Sequence, residues 1–372
     1  MSANANKRKI SIIIPTLNSA RFIKECVDSV LNQRLKDIEI LCIDANSTDG
    51  TIQILHDYAR QDSRLRVIIS EKKSYGYQMN LGIAQARGEF IGIVESDDFT
   101  KPQMYENLYE VAKQTNCDIV KSDILCFHTP KSQSTNNHES RFTHTPIIKN
   151  KRFYGKKLDF DLRVDPAKSP KSIKTKTALL KSAWKMNQSS IFKREFLARH
   201  KIAFNETAGA SYQDTGFSFI ATILAKSMYL INDAFYCYRT DNENSSSNSK
   251  AKVYCLCDEY AFIEAFLKRE NLFSAYQGLF YYLKFCGYKW NVERIATQYR
   301  LEFLRHFQRE FALLSPKQIK ACGFKWHQRR KLAKILDSPQ SYFAELNEPK
   351  PKGLAQKIKH YFKHYIKKEG KK

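Results

Sequence analysis

The stretch FIGIVESDDF, Phe90 to Phe99, is apolar until it meets three acids, Glu95, Asp97 and Asp98. Carboxylates that close repel one another, so either water or a positive partner must neutralise them. Adjacent Asp97 and Asp98 offer hard oxygen ligands suited to Mg2+ or Mn2+, which use one or two carboxylates and fill their shells with phosphates and water. The alternative use of the pair is to cap a helix beginning at Pro102, a favoured first-turn residue. Two more acids, Asp44 and Asp49, stand in DANSTDG, where either could instead cap the next helix. PTLNS, from Pro15 to Ser19, is a tight turn into a helix whose first amides could meet a phosphate. Together these spots outline a site for a polar, charged ligand. No GxGxxG follows the first strand and no GxxxxGK[ST] occurs, which disfavours dinucleotide and P-loop chemistry.

The elements that carry these residues alternate. KISIIIP is a continuous apolar run of the kind a buried parallel strand needs. Asn18 or Ser19 then caps a helix with Phe22, Ile23, Cys26, Val27 and Val30 at helical spacing. DIEILCID, RLRVIIS, EFIGIVE and CDIVKSDIL read as the next strands, separated by helices. Repeated strand–helix–strand order implies a helix-covered sheet that binds ligands at the carboxyl ends of its strands. Residues 128–180 read as a polar, then basic, insertion, in which His138 and His144 have too little framework for a metal site. Structure resumes at SSIFKREFLARH and SYQDTGF. DNENSSSNS is the best linker, placing the boundary between a first domain at 1–245 and a basic, mostly helical region at 246–372.

The chain has 372 residues, enough for more than one small core, and 42% are apolar, which excludes a disordered chain. A net charge of +24 favours anionic partners: nucleic acid, an acidic membrane surface or phosphate-bearing substrates. The nine scattered cysteines lack zinc-site spacing and read as small buried hydrophobes of a reducing compartment. MSANANKRKI lacks the apolar core of a signal peptide, and no run approaches the roughly 18 apolar residues of a membrane span, so a cytoplasmic protein is expected.

The order SIIIPTLNS, LCIDANSTDG, YGYQMNLGIAQARGEFIGIVESDDF resembles the nucleotide-sugar-binding half of inverting family 2 glycosyltransferases of the GT-A fold. The resemblance is dense over about residues 9–126 and returns at SSIFKREFL and ASYQDTGF. It implies an α/β fold, with a Rossmann-like mixed sheet flanked by helices and a mostly helical C-terminal region. ESDD stands at the metal-binding motif, which makes Asp98 the metal ligand and gives Asp97 to sugar or metal. Pro15, Thr16 and Asn18 then line the base and ribose, Asp44 the nucleoside, and Asn80 the donor. Asp214, in SYQDTGF, falls at the general-base position, although a cap for the helix TGFSFIATILA is its other use. Arg239, in YRTDNENSS, would contact the diphosphate, and Trp184 would stack on an acceptor sugar unless it is core.

The resemblance further implies a UDP-sugar donor, Mn2+ or Mg2+, and a glycan or lipid-linked acceptor of the lipooligosaccharide or capsule kind. It departs from the family at Ala45, where a second acid is common, at Gln78-Met79-Asn80, which lacks an arginine, and at Asp241, where a histidine is common. GLAQKIKHYFKHYIKK sets Leu354, Ile358, Tyr361, Phe362, Tyr365 and Ile366 against lysines, a pattern for a helix on an anionic membrane or one docked on the protein. For such an enzyme the first use is favoured, at the inner face of the cytoplasmic membrane. No nucleic-acid motif occurs and no nucleic-acid partner is expected. Rival readings are a nucleotidyltransferase, which would release pyrophosphate, and a non-catalytic basic protein indifferent to Mn2+.

Overall fold

The structure, a computed structural model, describes residues 8–129, 142–160, 170–183, 186–243 and 249–348. Its first half alternates β1 (Ile10–Thr16), α1 (Ile23–Leu31), β2 (Ile38–Asp44), α2 (Thr51–Gln61), β3 (Leu65–Ile69), α3 (Tyr75–Gln85) and β4 (Phe90–Ile93). β1 and β2 are buried along their whole length, as strands covered by helices on both faces must be. The short β5 (Phe99–Thr100), α4 (Met104–Thr115) and β6 (Ile119–Phe127) follow. Next come β7 (Phe142–Thr145), β8 (Lys157–Asp159), α5 (Pro170–Ser182), β9 (Ser190–Lys193), α6 (Arg194–Arg199), α7 (Asp214–Leu224) and the long β10 (Ser227–Arg239). The remaining described elements are helical: α8 (Cys255–Arg269), α9 (Phe273–Arg294), α10 (Thr297–Ala312), α11 (Pro316–Ala321), α12 (Trp326–Asp337) and α13 (Pro339–Asn347).

The strands form one mixed sheet in the order β3-β2-β1-β4-β9-β6-β10-β5, with β7 beside β6 and β8 beside β10. β3, β2, β1 and β4 run parallel, which brings the ends of β1, β2 and β4 to one edge. β9 is the departure from the repeated parallel pattern: it inserts antiparallel between β4 and β6. α4 starts at Met104 rather than Pro102, because β5 first pairs with β10. Neither Asn18 nor Ser19 caps α1 with its side chain. Instead the Ser19 carbonyl accepts the amides of Phe22 and Ile23.

Below the edge, α1 buries Ile23, Cys26, Val27 and Val30 against the sheet. α8 packs on α7 and α9 on α5, so the later helices rest on elements that flank the sheet. α9, 22 residues long, buries aromatic and aliphatic side chains on several faces, including Tyr276, Phe280, Phe285 and Tyr288, as a helix at the centre of a bundle does. All nine cysteines are unpaired thiols. Among the described residues no helix is long and apolar enough to cross a membrane. Trp184, His138, the Ser/Asn-rich stretch at 244–248 and the basic tail lie outside the described residues.

Candidate active site

The ends of β1 and β2 are laced into one rim. Asp44 is fully buried and accepts the Thr16 hydroxyl at 2.9 Å and both the amide and hydroxyl of Ser47 at 2.7 Å. The buried Gln78 amide reaches across from α3 to the carbonyls of Thr16 (2.9 Å) and Ile43 (2.6 Å). Asn18, exposed and with φ of 51°, accepts the Thr48 amide at 2.9 Å while its own amide donates to Ser47. Asp49 closes the lacing by accepting the Ala20 amide at 2.9 Å. Asn46, with φ of 62°, occupies a left-handed position beside Ala45. Pro15, Thr16, Asn18 and Asp44 are thus brought together. Thr16 and Asp44 shape the rim from beneath; Asn18 and its exposed neighbour Leu17 stand above it.

The acids after β4 are held by groups far away in sequence. Asp98 is buried: its Oδ2 accepts the Tyr236 hydroxyl at 2.6 Å and its Oδ1 the Arg239 amide at 2.7 Å. Burial, with the charge of Asp97, pushes the Asp98 carboxyl well above the usual range against those two bonds. The Arg239 side chain is also committed. Its guanidinium lies 4.6 Å from the rings of both Phe22 and Phe127, pairs with Glu25, and donates to the Asp97 carbonyl at 2.7 Å and the Thr129 hydroxyl at 2.8 Å. Asp97 is the half-exposed acid of the pair, with Oδ2 accepting the Asn242 amide at 2.7 Å. The residue expected to hold a metal is therefore the enclosed one, and its neighbour is the partly exposed one.

Glu95 turns the other way. It accepts the Tyr75 hydroxyl at 2.8 Å and the Gln188 amide at 2.6 Å. Burial is the main force raising its carboxyl to about 7; bonds from Gln188 and Tyr75 oppose it, and the charges of Asp97 and Asp214 add to it. Asp214 begins α7, half-buried, with its backbone carbonyl 3.3 Å from the Asn187 amide. Its charge is felt at Tyr75, Glu95 and Lys121. Lys121, buried in β6 and donating to the Met186 carbonyl, is lowered to about 8 by desolvation, with Asp214 opposing.

Asn80 stands apart. Its amide donates to the Phe204 carbonyl at 3.0 Å and its oxygen accepts the Phe204 amide at 2.8 Å, clamping the chain after α6 to α3. The site residues that the sequence did not single out are Tyr75, Gln188, Tyr236, Asn242 and Lys121. Two of them carried a signal: Tyr75, as the first residue of the block that most resembles a known family, and Asn242, which lies in YRTDNENSS beside Arg239.

Chemically, the edge holds an excess of carboxylate that a divalent cation would relieve. Among the described residues no three His, Cys, Asp or Glu side chains converge as a preformed cage. One open carboxylate at a strand end suits a hard cation that draws its remaining ligands from phosphates and water.

A family model described as Glycosyl transferase family 2 matches residues 11–169. The chain is 31% identical over 234 residues to glycosyltransferase GlyG of Streptococcus pneumoniae, covering 62% of this chain and 70% of GlyG. It is 30% identical over 238 residues to the uncharacterized glycosyltransferase EpsJ of Bacillus subtilis, spanning 62% of that protein's length. Among solved structures, TarS residues 1–349 of Staphylococcus aureus in complex with UDP-GlcNAc superimposes with a TM-score of 0.51 at 18% identity, covering 93% of this chain and 99% of that one. That last likeness is one of fold.

Proposed function

Because the chain belongs to glycosyl transferase family 2 and is a glycosyltransferase of GT-A fold, we propose that it moves a sugar from a nucleoside-diphosphate sugar to a glycan or lipid-linked acceptor, with inversion, using Asp97 and Asp214 as its two working carboxylates. The observation that carries this reading is the division of labour at the end of β4. Asp98 spends both oxygens on Tyr236 and Arg239, and so sets the loop on which Asp97 stays partly exposed.

Asp97 would hold Mn2+ or Mg2+, with Asp98 positioning it, and when bound the ion would supply charge neutralisation for the departing nucleoside diphosphate. The rim of Thr16, Asn18 and Asp44 seats the nucleoside. UDP-sugars are the first donors to try, since TarS binds UDP-GlcNAc. Asp214 accepts the acceptor hydroxyl's proton as that oxygen attacks the anomeric carbon, a contribution of roughly 10²–10⁴-fold for a general base. A single displacement with no enzyme-bound sugar inverts the centre. Glu95, bonded by Tyr75 and Gln188, stands two residues before Asp97. The basic tail would bring the enzyme to the inner membrane face, where a lipid-linked acceptor resides.

The test is a thermal-shift screen of nucleotide sugars with and without Mn2+, followed by transfer assays of Asp97→Asn and Asp214→Asn. Stabilisation by a UDP-sugar only with Mn2+, and loss of transfer in both variants, is the expected result. Wild-type transfer by either variant overturns its assignment.

A further inference from the structure

We propose that Glu259, on α8 and outside every stretch that carries the family resemblance, is a positioning residue for Asp214: it pins the first turn of α7 so that the base carboxylate faces the sugar. The inference rests on Asp214 being the base. Glu259 is fully buried; its Oε2 accepts the Gly216 amide at 3.1 Å and its Oε1 the Asn205 side-chain amide at 3.0 Å.

The first amides of a helix have no partner within it, and a side chain at the N-cap usually takes the second or third of them. α7 starts at Asp214, and its N-cap, Gln213, makes no such bond. Gln213 instead accepts the Ser211 amide and donates to Thr207 and to the Gly209 carbonyl. Gly216, the third helical residue, is satisfied from a different helix. A Cβ at position 216 would lie 2.7 Å from the Glu259 Oε2, so glycine is what lets the carboxylate in.

The second oxygen extends the tie. Asn205 follows Phe204, which Asn80 clamps to α3, and precedes Gly209, whose carbonyl accepts the Tyr75 amide at 3.0 Å. One carboxylate therefore joins the helix that begins with Asp214 to the segment that steadies Tyr75, the partner of Glu95. Burial raises the Glu259 carboxyl to about 8 against the bonds from Asn205 and Gly216, and both contacts are hydrogen bonds that an amide can reproduce once Asn205 turns.

The full-length protein is assayed for UDP release from UDP-GlcNAc, UDP-glucose and UDP-galactose with Mn2+, beside calorimetric UDP affinity and hydrogen exchange of the α7 first turn. A misplacement of about 1 Å costs on the order of 100-fold in turnover, so Glu259→Ala should lose at least about 10-fold in kcat while UDP affinity stays within about 2-fold. It should also exchange the Gly216 amide faster. Glu259→Gln should restore both readouts, because Asn205 can turn its amide to meet the new side chain. Wild-type kcat and exchange in Glu259→Ala overturn the proposal, as does Glu259→Gln as damaged as Glu259→Ala, or a UDP affinity that falls in step with kcat. Should Glu259→Ala fail to fold, Asn205→Ala, which removes one of the two bonds, decides the matter by the same readouts. Asp214→Asn is measured alongside. If it is inactive while Glu259→Ala is unimpaired, only the positioning role falls; if it is active, the base assignment falls and this role with it.

Discussion

Arg239 offers a choice between two jobs that one substitution separates. The family resemblance gives it to the donor diphosphate, whereas the structure surrounds its guanidinium with protein. Replacing it by Met keeps some of the apolar stem and removes the planar cation. Two ring contacts at 4.6 Å are lost, to buried Phe127 and half-buried Phe22, each worth about 1 kcal/mol. The Asp97 carbonyl loses its donor, a penalty of about 1–3 kcal/mol for a buried acceptor left unpaired. Glu25 is 54% exposed and can return to water, so the ion pair adds little. Allowing for non-additivity and partial refilling by Met, Arg239→Met should destabilise the fold by about 3 kcal/mol. Urea unfolding followed by tryptophan fluorescence measures this, through a lower midpoint at unchanged slope. UDP affinity, measured where the variant is still folded, should then fall only as far as the Asp97 loop loosens. An unfolding free energy within about 0.5 kcal/mol of wild type, together with a roughly tenfold loss of UDP affinity, would refute the structural role and return Arg239 to the diphosphate.

Asp97→Asn should weaken Mn2+-dependent UDP binding at least about tenfold with little change in stability, whereas Asp98→Asn, whose amide can still serve Tyr236 and the Arg239 amide, should keep its Mn2+ response; calorimetry with and without the ion compares them. Gly76→Ala places a Cβ 1.9 Å from the Asn205 carbonyl oxygen, a backbone clash that should cost about 1–3 kcal/mol and lower turnover through the 204–209 segment, read by unfolding and kcat together. Glu259 binds its proton more tightly folded than unfolded, because its carboxyl rises from 4.5 to about 8. Wild-type stability should therefore fall by a few kcal/mol as pH climbs from about 5 to 8. Glu259→Gln should flatten that part of the curve, and a slope identical to wild type would contradict it.

The parallel half of the sheet was legible because β1, β2 and β4 are mostly apolar runs that alternate with helices. β9 was not, since a four-residue strand takes its direction from partners rather than from its own pattern. The position of the acid motif was equally legible, but not which acid it encloses. Asp98 looks as available as Asp97 until Tyr236 and the Arg239 amide are in place, and nothing near residue 98 announces them. The basic character of Arg239 pointed to phosphate; the two rings that enclose it, Phe22 and Phe127, come from separate elements and become its neighbours only in the fold. Glu259 gave no signal, for its value lies in meeting a glycine 43 positions earlier.

The clasp that β10 places on Asp98 also has a bearing on how the protein is made. Tyr236 and Asp98 are separated by 138 positions. A ribosome adding about 5–20 residues per second therefore exposes the whole acid motif for roughly 7–30 s before its partners are synthesised. Until β9 (Ser190–Lys193) is made, well into that interval, β4 has an unpaired flank of the kind that invites wrong pairing, and β10 completes only at its end. Closing so long a loop is slow but adds only logarithmically to the entropy cost. Sugar transfer should thus be among the last properties the nascent chain acquires, and fragments ending before Arg239 should carry the family's signature without its activity.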